Sequence, residues 1–164
     1  MRNWIFALAI ATLSILQVTL LDYLKVFGVK PDLLLICVVI ASVSLELKWV
    51  LFFAIFSGFL KDIFAPGAFG INILMLPLWG FLTRQLSKKI SIDNDSRRMV
   101  LIFVIVIFND IASRMIFLFL GNPSISLWIF LRIIILESLY TALVSPLVFR
   151  IIKLVFLKDL EETI

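Results

Sequence analysis

Histidine is absent from this sequence, and cysteine occurs once, as Cys37. Without histidine there are no imidazole zinc sites, no Ser-His triads and no histidine proton relays. A lone Cys37 inside an apolar run cannot form an intrachain disulfide, and reads as a small apolar residue. Charge is also scarce: 16% of residues are charged, against about 25% in soluble domains. Glycine and proline number six and five, too few for a loop-rich or fibrous chain.

Apolar side chains fill the space left by these absences. Hydrophobic residues make up 63% of the 164, and mean hydropathy is +1.17. A soluble domain carries about 45–50%. So short a chain has too little interior to hide this surface from water, whereas a bilayer accepts it. Sixteen Phe and four Trp suit a bilayer, Phe near its centre and Trp at its boundaries. The net charge of +4 does not indicate nucleic acid, because the basic residues lie between apolar blocks and not along one face. The chain is therefore expected to be one all-α, polytopic membrane helix bundle.

A hydrocarbon core about 30 Å thick takes about 20 helical residues. Six spans are predicted, over residues 3–21, 31–45, 49–64, 71–86, 99–120 and 127–149. The first could be mistaken for a signal peptide. Its apolar run, Trp4 to Leu21, is long for a signal core and no small-x-small site follows, so it is expected to stay as a helix. Pro31 suits a helix first turn, and Pro77 predicts a kink. Gly67 and Gly70 supply turn conformations between spans three and four. Spans two and three are the shortest; segments this short are re-entrant or buried in a bundle, and as a re-entrant pair they would leave four crossings.

Lysine and arginine set the orientation. With an internal N-terminus, Arg2, Lys48, Arg84, Lys88, Lys89, Arg97, Arg98, Arg150, Lys153 and Lys158 face inward, and only Lys25, Lys30 and Lys61 face outward. Both termini are thus predicted to be cytoplasmic. Trp4, Trp49 and Trp128 fall at span ends, and Trp79 is expected to pack inside the bundle.

Four charges fall within predicted spans five and six: Asp110, Arg114, Arg132 and Glu137. Each ionised group near mid-bilayer costs about 2.5–3.5 kcal/mol, so pairing is expected. Asp110 and Arg114 are four apart with the acid first, the favourable order. In antiparallel spans five and six the two acids share one depth and the two arginines another. A neutral four-membered cluster is the expectation, acting as a clasp between helices with Arg132 partly snorkelling outward, or as a proton or substrate path. Gly58 and Ala54 form a small-xxx-small pair that lets helices approach closely. Lys61 beside Asp62 reads as an interfacial ion pair.

The run Pro31-Asp32-Leu33-Leu34-Leu35, the run Gly58 to Phe64, the run Gly67 to Asn72, and the late run Leu139 to Phe149 together resemble the rod shape-determining protein MreD family. The resemblance covers nearly the whole chain and lies in the order and spacing of the segments. This chain has Thr141 where family members often carry Asn. The resemblance implies a six-helix fold similar to the S-component of energy-coupling-factor vitamin transporters. It also implies a place in the bacterial cytoplasmic membrane as part of the cell-elongation machinery, as a partner of MreC. MreB, the glycosyltransferase RodA and a class B penicillin-binding transpeptidase are the further implied partners. No cofactor or metal is expected.

Three functions follow as expectations. A non-enzymatic scaffold would bind MreC through its helices and couple MreB filaments to peptidoglycan synthesis. A vitamin-binding transporter subunit would need an outward polar pocket, with Asp62, Asn72, Asp110, Arg114, Arg132 and Glu137 as its candidates. An intramembrane enzyme would have only aspartate chemistry, through Asp62 and Asp110, which sit at different depths on separate spans.

Overall fold

Asp32 decides where the first described helix starts. Its carboxylate accepts the Leu35 N–H at 3.1 Å, the bond of an N-cap. In this computed structural model, which describes residues 12, 15, 28–64, 70–89, 95–121 and 126–161, five helices follow: α1 (Leu33–Ser44), α2 (Leu47–Phe64), α3 (Ile71–Lys89), α4 (Asp95–Phe119) and α5 (Leu127–Glu161). The elements formed by the described residues are all helices, with no strand among them. Predicted span one, apart from Thr12 and Ile15, and Gly67 with most of its turn, lie outside the described residues.

Because Asp32 is the cap, Pro31 sits one residue before it and not in the first turn. The 12 residues of α1 reach only about 18 Å, short of a bilayer's hydrocarbon thickness. Residues Leu33 to Ser42 are all buried, as befits a helix that is apolar all round. At its far end the Arg84 guanidinium of α3 donates to the carbonyls of Ser42 (3.2 Å) and Val43 (3.4 Å). A short helix enclosed by protein thus has side chains satisfying both its ends.

α1 is the hub, touching all four other helices. Around it stand two antiparallel hairpins, α2–α3 and α4–α5, joined to each other through α3 and α4. The core gathers Leu34, Ile36, Val38 and Val39 of α1 with Val50, Phe53 and Ala54 of α2, Leu76 of α3, Ile102 and Val106 of α4, and Val148 and Ile152 of α5. Trp79 lies partly buried inside the bundle, where its Nε1–H donates to Asn109 Oδ1 at 3.2 Å.

α4 and α5 are each long and apolar enough to cross a membrane, α5 over Leu127–Ile152. Only 22% of each apolar stretch is buried, whereas a core helix of a soluble protein is mostly buried. Along α5, Leu127, Leu131, Ile135, Leu139, Leu143, Leu147 and Ile151 are exposed at every fourth position. Val100, Val104, Phe108, Ile111, Met115 and Leu118 make the matching stripe on α4. An apolar surface this long is not stable in water.

The described helices differ from the predicted spans mainly at their ends. α3 continues to Lys89 and α4 starts at Asp95, so the polar stretch between spans four and five is largely helical extension. α5 continues to Glu161. Both internal prolines lie within continuous helices. Pro146 has no N–H for the Ala142 carbonyl, and Ser145 Oγ donates to that carbonyl at 2.7 Å instead.

Candidate functional site: a buried polar junction

Asp32 and Lys61 form the centre of this site. Asp32 is 3% exposed, yet every polar group it offers has a partner. Its backbone N–H donates to Thr141 Oγ1 of α5 at 3.1 Å. One carboxylate oxygen caps α1, and the other receives the Lys61 ammonium of α2 in a salt bridge. Thr141 lies 14 residues into α5, so α1 begins about 21 Å from that helix's first residue. This buried start distinguishes α1 from a helix that enters at a membrane surface.

Lys61 also lies within electrostatic range of Asp110 on α4 and Glu137 on α5. Asp110 and Glu137 in turn sense each other and Asp32. The cation that acts on both acids is therefore an ammonium from α2. Asp110 Oδ1 accepts from Asn109 Nδ2 at 3.4 Å, while Oδ2 is buried without a hydrogen-bond partner. The Arg114 guanidinium lies over the Phe130 ring, 3.9 Å from its centroid, and so bridges α4 and α5 by a cation–π contact. Arg132 is exposed and forms no ion pair among the described residues. Of the four charges expected to cluster, the structure thus places Asp110 and Glu137 together with Lys61 and Asp32, and leaves Arg132 on the surface.

Asp62 faces away from Lys61 and serves another helix. Its carboxylate accepts the backbone N–H groups of Gly70 (3.0 Å), Asn72 (3.1 Å) and Ile73 (3.0 Å), and the Asn72 side-chain amide (2.7 Å). It therefore neutralises the N-terminus of α3 from across the hairpin, where orphan N–H groups and the helix dipole favour an anion. Gly70 adopts φ +104°, a conformation that side chains rarely allow. One turn before Asp62, Gly58 lets the two backbones meet. A Cβ there would lie 2.5 Å from the Asn72 carbonyl oxygen and 2.7 Å from Ile73 Cα. Ala54 continues the same face, packed beside Gly80.

The adjacent residues Lys61 and Asp62 are thus not an ion pair. Successive helical residues point about 100° apart, so Lys61 reaches Asp32 and Asp62 reaches α3. Lys61 was not among the expected site residues; an ammonium one turn before a helix end was the available signal. Among the described residues, no group of three or more His, Cys, Asp or Glu is arranged to hold a metal ion. What the arrangement does chemically is fix helix ends and helix pairs.

No family model, characterised protein or solved structure matches this chain.

Proposed function

We propose that this chain is a six-span, non-enzymatic scaffold in the bacterial cytoplasmic membrane, both termini cytoplasmic, that binds MreC and links MreB filaments to peptidoglycan synthesis during cell elongation. One observation carries the proposal. The segments whose order resembles the MreD family are far apart in sequence, yet they are tied to one another in the fold at two neighbouring places. Asp32 bonds Thr141 and Lys61, Gly58 packs on Asn72, and Asp62 holds Gly70 and Asn72. A set of residues selected together for one architecture would be arranged so. RodA and a class B penicillin-binding protein complete the partners that the resemblance implies.

The alternative, a vitamin-binding subunit, needs uncommitted polar groups around a pocket. Asp62 and Asn72 are committed to the hairpin and Arg132 is exposed, which favours the scaffold. Aspartate catalysis is disfavoured for the same reason, since Asp62 already accepts four hydrogen bonds.

Depletion of the protein from its rod-shaped host tests the proposal. Cells should round up, and MreC should co-purify with the tagged chain in stoichiometric amount. Unchanged shape together with impaired vitamin uptake would replace the scaffold by the transporter subunit.

A further inference from the structure

Between α3 and α4 runs a groove of about 310 Å³ that the junction does not use. Trp79 and Phe108 close one end, Leu82, Leu86 and Val104 line its length, and Lys89 stands at the other end. The volume is at the low end of the range for small-molecule sites. Trp79 and Lys89 are ten residues apart on α3, about 15 Å along the axis. Thr83 lines the groove, fully buried, and its hydroxyl has no hydrogen-bond partner.

We infer that this groove seats one acyl chain of an anionic phospholipid, with the headgroup phosphate on Lys89. Three features select this occupant. The lining is long and mostly apolar, and ends on a cation that forms no ion pair among the described residues. The cation lies in the basic segment that the positive-inside pattern assigns to the cytoplasmic face, where anionic lipid attracts nearby lysines. A partner helix suits the groove less well, because transmembrane helices meet on small residues. The walls here are Trp, Phe, Leu and Val, which keep a second backbone at a distance but admit a thin, pliable chain. The inference requires the chain to lie in a bilayer, and does not depend on the scaffold role.

Trp79 is a built-in reporter. The full chain, with Trp4, Trp49 and Trp128 replaced by Phe, is reconstituted in nanodiscs of unbrominated lipid. These are doped with phosphatidylglycerol or phosphatidylcholine carrying mid-chain bromines, which quench tryptophan on contact. Phosphatidylglycerol should half-quench Trp79 at about a fivefold lower mole fraction, the preference one lysine confers near an anionic surface. Lys89→Gln should remove the preference. Val104→Phe, which fills the groove, should remove it too, with helix content unchanged by circular dichroism. Equal quenching by both lipids in the parent chain would overturn the inference. A preference that survives in Lys89→Gln would overturn it as well.

Discussion

The two hairpins solve one problem, holding antiparallel helices together, by opposite means. In α2–α3 the backbones nearly touch at Gly58, and the Asp62 carboxylate ties the end of one helix to the start of the next. In α4–α5 the contacts are made by large side chains, such as Arg114 over Phe130 and Arg98 over Phe149 (4.0 Å), and the outer stripes stay exposed. The first hairpin is specified by hydrogen bonds that only one register satisfies. The second is specified by packing that tolerates adjustment, as expected for helices that face lipid. Substitutions should therefore be costly on α2–α3 and at the junction, and mild on the outer faces of α4–α5.

The largest effect is expected at Asp32→Ala. It removes the α1 cap and the only carboxylate in contact with the partly buried Lys61 ammonium among the described residues, so about 3–5 kcal/mol of stability should be lost in detergent unfolding experiments. Gly58→Val comes next. Its side chain meets Asn72 and Ile73 backbone atoms that cannot move aside, and the cost should be at least about 1–3 kcal/mol. Asp62→Ala, which strips the α3 N-terminus of its acceptor, should cost about 0.5–2 kcal/mol, and Asp62→Asn less. Thr141→Asn should stay within about 1.5 kcal/mol, because an amide carbonyl can accept the Asp32 N–H in place of the hydroxyl. Arg132→Gln should be near neutral, within about 0.5 kcal/mol, since the residue is exposed. Equal losses from Asp62→Ala and Arg132→Gln would erase the contrast between the hairpins.

Much of the helical layout was legible in the sequence. Apolar runs broken at Glu46 and in the Gly67 to Gly70 turn located α2 and α3, and the Gly121 turn separated α4 from α5. Trp79, away from any predicted span end, does pack within the bundle. The burial of α1 was legible from its length alone: a stretch of 12 residues is too short to cross and reads as re-entrant or buried in a bundle. Periodicity did not choose between these readings, because a central helix and a lipid-bathed helix are both apolar all round. The junction was half legible. Asp110 and Glu137 were matched by depth along two antiparallel helices, which counting residues can do. Lys61 was missed because its partner, 29 residues away, lies at the buried start of α1, a depth that no count from a span end supplies. Arg132 was drawn into the cluster by depth alone, whereas its position on the helix circumference turns it outward.

The central claim is that the Asp32–Lys61 pair joins α1 to α2 at the heart of the bundle. A double-mutant cycle with Asp32→Leu and Lys61→Met, read as unfolding free energy of the full chain in detergent, measures that link directly. Each single variant leaves one charge stranded, so the double variant should be more stable than either single one, with a coupling of about 1 kcal/mol or more. Losses that simply add, with no recovery in the double variant, would contradict the account.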